Sequence, residues 1–472
     1  MTFSAGVAII GDRAFFFCNS LTGVTLPVGV AVIGDEAFSD CRSLTDMTIP
    51  ESVVSIGKGT FASCGGLTNI SVSAGNTAYK SVGGVLFNKA GRLLAAYPTG
   101  KAGAYSVPDG VTAIGDGAFT GCGGLIDVAF PTSVTGIGGR AFNNCGGLTD
   151  VTFPLGLVSI GSEAFAYCRG LTGVTIPASV TAVGVGAFGG AFSWCANLTD
   201  ISVAEGNAAY CDIGGVLFDK SGTTLLQYPA GRSGAYSVPS GVTNIGSYAF
   251  MHCTMTGVTF PDSLTGIGLA AFGDCRNLET VALPDGLRSI GEWAFGSCHG
   301  LKDVRIPEGV IHIGSGAFSR CTSLTGISVA AANAGYKDVG GVLFNKTGTA
   351  LLQYPAGRSG AYAIPSGVTA ISEQAFAGCI DLTGVTIPKG VTSIGKETFS
   401  NCLSLEKVVL PKGMRSIDKW AFPGCDSLES VVFPKGLTSI GGWTFESYVR
   451  QRSLNAAKGK PIRRARGTDK KE

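Results

Sequence analysis

The chain has 472 residues, of which 45% are hydrophobic and 14% charged, and a net charge of +2. That composition excludes a disordered chain, and its 72 glycines do not recur every third residue, which excludes a collagen-like one. Length alone would suggest about three globular units, but a continuous repeat overrides that expectation. No window of 18 apolar residues occurs, so no membrane span is expected.

A phenylalanine returns in one frame fifteen times, usually after 23 residues, from Phe15, Phe38 and Phe61 through Phe165 to Phe445. Around these anchors runs I-G-x-x-A-F-x-x-C-x-x-L-T-x-V-T-I-P-x-x-V-T-x. A period of about 20 to 29 residues with regularly placed aliphatics marks a solenoid. One coil cannot fold alone. Its few inward side chains, Phe38, Cys41, Leu44, Met47, Ile49, Val53 and Ile56 in the second coil, gain roughly 1.5–3 kcal/mol each for the large ones. Ordering the backbone costs roughly 1–2 kcal/mol per residue. Stability must therefore come from coil stacking on coil in a nearly one-dimensional array.

Within each coil, L-T-x-V-T-I-P reads as a short strand with Leu44, Met47 and Ile49 inward and Thr45 and Thr48 outward. Proline closes it, as at Pro50 and Pro177, because proline cannot donate to a ladder. The residue after the inner isoleucine is Gly in thirteen coils and Ser372 or Asp418 in two. All three types cap helix starts, so x-x-A-F-x-x-C is expected to form one helical turn.

Three near-identical longer units, about 70–115, 201–246 and 327–372, place 58 residues between anchors. Each contains N-x-x-Y, then G-G-V-L-F, a polar turn and L-L/A-x-Y-P, and V-L-F-x-K-x-G-x-x-L-L reads as a β-hairpin. The units divide the array into blocks of three, four, four and four coils. Between Phe188 and Phe192 the segment A-F-G-G-A-F has gained four residues, and near Cys253 and Met255 one residue is missing. Both should appear as local bulges. From Val449 to Glu472, nine Lys or Arg stand against two acids. This composition reads as a solvated, disordered tail, or less readily as a nucleic-acid or anionic-surface contact.

The repeat, together with the G-V-L-F-x-K...Y-P units, resembles the BspA-like leucine-rich repeat family, the variant also called the treponemal type, over Ile9 to about Phe445. The resemblance implies a right-handed leucine-rich-repeat solenoid of about 15 coils, residues 1–448, with a strand and one helical turn per coil and three inserted hairpin units. It also implies a bacterial or protist surface protein that adheres to host or matrix proteins, and it supplies no catalytic residues. Met1-Thr2-Phe3 enters a coil without the pattern of a secretion signal, as expected of a fragment, of a chain exported by another route, or of one that stays inside. An intracellular protein-interaction scaffold is therefore the alternative to a surface adhesin for proteins or glycans.

Chemistry-bearing motifs are sparse. Fourteen of the fifteen cysteines fall three residues after an anchor, and Cys211 alone does not. Adjacent coils roughly 4.8 Å apart leave disulfide bridges open as an alternative, but we read the fourteen as buried thiols filling an inner corner. No C-x-x-C pair occurs, and His252, His299 and His312 lie in different phases, so no metal centre is expected. Gly184, Gly186 and Gly189 match G-x-G-x-x-G without a surrounding βαβ unit. No nucleophile, base and orienter form a set, and neither an enzyme nor a cofactor is expected. The candidate binding residues lie on the outward strand face, at Thr25, Thr48, Thr152, Thr175, Thr259 and Thr386 with Asp46, Asp150 and Asp200. Threonine also simply suits an exposed pleated surface. A second set, Trp293, Trp420 and Trp443, stands two residues before an anchor, with the last two on neighbouring coils where their rings can stack. Replacing Phe165 with Ala should lower stability by about 3–5 kcal/mol in a thermal melt. An unchanged melt would place that ring outside the core.

Overall fold

The computed structural model describes residues 6–186 and 189–445, and the basic tail at 449–472 lies outside the described residues. The chain divides into two compact units. One comprises the residues up to Met255 with Ile267–Gly273, the other Thr256–Gly266 and Asp274 onward. Both are solenoidal, and each coil has three sides. The second coil runs along Asp46–Ile49, turns at Pro50, forms a two-residue strand at Ser55–Ile56, and closes through a run of turns. Both strands pair in parallel with the equivalent strands of neighbouring coils. Asp46 faces Asn69 and Thr48 faces Ser71 on one side, and Val32 faces Ser55 on the other. The second unit repeats this, with Asp303–Ile306 beside Gly326–Val329 and Ser393 beside Ser416 beside Ser439.

The expected helical turn is not formed, and no helix occurs among the described residues. In the ordinary coils two residues adopt left-handed backbone, two before and two after the anchor, whereas at Phe192 only Trp194 does, Gly190 being taken into a ladder with Val185. Arg13 and Phe17 have φ of 54° and 61°, Glu36 and Asp40 52° and 59°, Trp293 and Ser297 54° and 59°. An α-helix aims every N–H along its own axis at the residue four back. Here three overlapping turns close instead through Ala14 to Gly11, Phe16 to Arg13 and Cys18 to Phe15. The alternate N–H groups of Arg13, Phe15 and Phe17 are thereby aimed sideways, at the carbonyls of Asp35, Ala37 and Ser39 on the next coil, at 2.9, 2.8 and 3.0 Å. Left-handed backbone costs roughly 1–2 kcal/mol for a non-glycine residue, and it persists because the neighbouring coil over-determines it.

The glycine after the inner isoleucine is accordingly not a helix cap. A Cβ at Gly161 would lie 2.4 Å from the backbone N of Gly139, so coils approach there too closely for any side chain. Ser372, which follows a long unit, and Asp418, which does not, occupy the same phase, so the exclusion is not uniform along the array. At the equivalent Gly115 and Gly246 the nearest atom to a Cβ is 3.0 and 2.9 Å away.

The anchor rings are the core. Phe119, Phe142 and Phe165 are fully buried and stack at 4.6 and 5.0 Å between centroids. In the second unit Phe376, Phe399 and Phe422 stack at 4.9 and 5.0 Å. Such pairs are worth about 0.5–1.5 kcal/mol beyond area burial. Between coils of ordinary spacing the anchor carbonyl also takes the thiol of the next coil. Cys41 Sγ donates to Phe15 O at 3.1 Å, Cys168 to Phe142 at 3.1 Å and Cys402 to Phe376 at 3.2 Å. All fifteen cysteines are free, with Cys18 exposed and Cys211 half-buried.

The long units contain the expected hairpin and more. Tyr79–Val82, Val85–Asn88 and Leu93–Ala96 form an antiparallel meander, and its last strand resumes parallel pairing with Ala113–Ile114. Tyr97 then takes the place of an anchor. It is buried, stacks on Phe119 at 4.8 Å, and donates its N–H to Ala118. Tyr228 and Tyr354 repeat this on Phe250 and Phe376. N-x-x-Y seals the preceding coil. Asn76 Nδ2 donates to Pro50 and Val53 carbonyls, its Oδ1 accepts from Ala78 and Tyr79, and the Tyr79 hydroxyl accepts the N–H of Ile56 at 2.8 Å. That N–H would otherwise be left at a sheet edge. Asn207 with Tyr210 and Asn333 with Tyr336 do the same. The expected bulge after Gly184 is a small antiparallel ladder, Val185 opposite Gly190 and Gly186 opposite Gly189.

Two outcomes follow from the packing. Burial pushes the Cys168 and Cys195 thiols well above their ordinary range, and Cys321 to about 12. A thiol reagent should therefore label Cys18 quickly and Cys211 more slowly, the others only on unfolding. Unfolded thiols ionise near pH 8.5, so above that pH the unfolded chain holds fewer protons than the folded one. Stability should be level from about pH 6 to 8 and fall as the pH rises through 9. Separately, Gly121 has φ of 83° and a Cβ there would meet Ser63 Cα at 2.7 Å, whereas Gly110, with φ of 86°, has open space. Gly121→Ala should cost about 1–3 kcal/mol more than Gly110→Ala in denaturant unfolding.

Candidate functional site

Strand alternation fixes which side chains the core leaves free. In Asp46–Ile49 and Gly173–Ile176 the second and fourth residues are buried, which turns Asp46, Thr48 and Thr175 outward. Thr25, Asp150, Thr152, Asp200, Thr259 and Thr386 are exposed as well. The row they form is not continuous. Thr48 meets Ser71 Oγ at 2.9 Å on the next coil, and Thr175 meets Ser202 Oγ at 3.1 Å. A bridge between Val24 and Met47 puts Thr25 one rung from Thr48. Yet Asn69–Val72 pairs with Asp46–Ile49 alone, Gly103–Ser106 with Leu125–Ala129 alone, and Gly173–Ile176 with Asp200–Val203 alone. The candidate strand face is thus a set of two-rung to four-rung patches. Asp200 lies 3.8 Å from Arg232, so its charge is partly answered.

The tryptophans occupy left-handed positions, which throws their rings off the core. Trp293 lies under the guanidinium of Arg320 at 5.3 Å. Trp420 and Trp443 are 46% and 67% exposed, and no stacked pair joins them among the described residues, contrary to the expectation from their spacing. The stacked outer rings are elsewhere, two residues after the anchors. Tyr167 lies on Trp194 at 4.8 Å, and His252 continues the column. Sequence reasoning passed over this column, although a common phase relative to Phe165, Phe192 and Phe250 was available as the signal. Because these rings face one another, only their edges meet solvent, and the column is packing.

The turn side also carries a charge rail that the spacing missed. Arg13 pairs with Glu36 at 2.7 Å and Arg140 with Glu163 at 2.9 Å. Asp12, Asp35 and Asp116 each accept a backbone N–H from the following coil at 2.8 Å. These carboxylates are engaged in stacking. A cavity of about 270 Å³ opens beside the third long unit, between Ile313, Phe318, Leu343 and Leu352, with Gln353 and Glu373 as its main polar lining. Gln353 is spent on Tyr354 and Ala375 carbonyls and on Ser319 Oγ, and no histidine or thiol lines the space. Among the described residues no helix is long and apolar enough to cross a membrane, and no group of three or more His, Cys, Asp or Glu is placed to hold a metal ion.

A family model described as the BspA type leucine-rich repeat region matches residues 1–93, 97–221, 235–350 and 360–460. Solved structures similar to the chain include a leucine-rich repeat protein from Eubacterium ventriosum, 23% identical, with 86% of this chain and 84% of that one covered and a TM-score of 0.43. A leucine-rich cell surface protein from Faecalibacterium prausnitzii is 26% identical, with 86% of each chain covered and a TM-score of 0.38. The pneumococcal vaccine antigen PcpA is 16% identical, with 95% of this chain and 76% of that one covered and a TM-score of 0.35. No curated protein matches.

Proposed function

We propose that this chain, which belongs to the BspA-type leucine-rich repeat family, is a non-catalytic adhesion scaffold of the cell surface whose strand-face patches bind a protein or glycan ligand. Proteins of this family are repeat scaffolds for protein binding. The observation that carries the reading is the division of labour within each coil. Phe, Cys and Gly positions are committed to stacking, while Asp46, Thr48, Asp150, Thr152 and Thr175 are exposed, Thr152 and Thr175 one coil apart, and none of them is required inside. Short, regularly spaced polar side chains on a rigid sheet lose little conformational entropy on binding, which favours recognition of an extended ligand. The similar Faecalibacterium protein is described as a cell surface protein, which supports the location.

The test uses the full chain against arrayed glycans and immobilised matrix proteins. Replacing Asp46, Asp150 and Asp200 together with Lys should weaken the captured ligand about tenfold or more, mainly through slower association, with an unchanged melt. A variant that binds every probe as the parent does would overturn the strand face as the site.

A further inference from the structure

One side of the last coils of the second unit differs from the strand face in charge and in aromatic content. It is the side that carries the two-residue strands. Its register is fixed by Ser393 opposite Ser416 opposite Ser439, and Ile394 opposite Ile417 opposite Ile440. Four residues before each of these serines, at the corner after the proline, stand Lys389, Lys412 and Lys435. All three are exposed, and none has an ion pair among the described residues. Earlier coils of this unit carry Asp262, Asp285 and Glu308 at that phase, so the sign reverses only here. Arg415 and Lys419 are exposed on the same side, again without an ion pair. Lys396 joins them, 3.3 Å from Glu397. The stretch holds five carboxylates, Glu397, Glu406, Asp418, Asp426 and Glu429; Glu397 is also held by Arg320 at 3.9 Å, and Glu406 and Glu429 stand next to the Lys407 and Ser430 strands of the other strand side. At the far corner stand Trp420 and Trp443, with ring faces uncovered by any stacked partner.

Like charges one coil apart, roughly 4.8 Å in a parallel sheet, repel one another in the free protein, and that repulsion is relieved by a ligand with its own repeating negative charge. A row with a fixed pitch fits a linear polymer better than a compact anion. Two uncovered indole rings on neighbouring coils offer an apolar platform of about the length of one pyranose, whose C–H face packs on indole. We propose that this side, from Lys389 to Trp443, binds an acidic polysaccharide, with Lys389, Lys412 and Lys435 meeting carboxylate or sulfate groups and Trp420 and Trp443 meeting a sugar face. The proposal rests on the ligand-binding reading above but uses a different surface, so the two fail separately.

The experiment titrates the full chain with heparin, with hyaluronate and with oligothymidylate at several salt concentrations. Lys389→Ser, Lys412→Ser and Lys435→Ser together should raise the heparin Kd about tenfold or more and flatten its salt dependence. Trp420→Ala with Trp443→Ala should raise Kd about threefold to tenfold and leave the salt dependence unchanged. A charge-matched control, Arg169→Ser with Lys220→Ser and Lys302→Ser, should stay within about twofold of the parent, which separates this side from the cations of other coils, and the same lysine variant in a chain ending at residue 448 separates it from the nine cations of 449–472. Equal loss in the control overturns the proposal, as does no loss in the lysine variant. Tighter, lysine-dependent binding of oligothymidylate overturns it in favour of nucleic acid. If heparin and hyaluronate fail to bind while another ligand is held through Asp46, Asp150 and Asp200, this proposal falls and the adhesion reading stands.

Discussion

Two left-handed residues per coil hold the rest of the architecture in place, because they decide where the backbone donors of the turn side point. A helical turn at Ala37–Phe38 would keep its hydrogen bonds to itself and leave each coil joined to the next by strands a few residues long. The broken turn sends alternate N–H groups across the gap, as from Phe15 to Ala37, and that crossing sets the coil-to-coil distance on the side where the anchor rings stack. The glycine at Gly34 or Gly161, the thiol on the anchor carbonyl and the face-to-face rings all follow from that close approach. Each coil is strained on its own and satisfied only by a neighbour, which is the physical meaning of a repeat that cannot fold singly.

The long units show how such an array admits foreign material. They enter on the strand sides and leave the turn side closed. Gly59 and Ser63 donate directly to Asp116 and Thr120 across the first unit, and Arg320 donates to Ala377 across the third. The core is refilled by Tyr97, Tyr228 and Tyr354, and the exposed N–H of Ile56, Val183 or Ile313 is taken by a tyrosine hydroxyl. The outer strand sheet is interrupted at each entry. Surfaces for partners are therefore short and separate on that side, and different patches carry different residues, such as Asp46 with Thr48 in one and Thr386 beside Val409 in another.

Much of this was legible in the residues. The Phe frame, the alternation of Met47, Thr48 and Ile49, the stop at Pro50 and the hairpin of V-L-F-x-K-x-G were read correctly because each is set by local periodicity or turn chemistry. The helical turn was misread for a physical reason. A six-residue window with Ala and Glu suits a helix, and nothing in Glu36 or Trp293 announces left-handed backbone, which a neighbouring coil imposes from outside. A trace existed in the glycines and asparagines that share those phases, Gly59, Gly117, Asn144 and Asn401. The Ser55–Ile56 strand was too short to leave a period, and Tyr97 was hidden as a rung because its spacing from Phe61 is not 23. The outward Thr and Asp positions are exposed, although Asp150 and Thr152 fall in no strand, and no stacked pair joins Trp420 and Trp443 among the described residues.

Between ordinary coils the donors of the turn side point toward the later coil and meet equivalent acceptors, and after a long unit the tyrosine rung takes the acceptor an anchor would have used. Any coil can therefore follow any other without loss of a backbone partner. Unequal crossing-over between the near-identical longer units, at the level of the gene, would add or delete a whole four-coil cassette and return an array just as well bonded. Such exchange would give arrays of different length that share one structural grammar but display different side-chain patches.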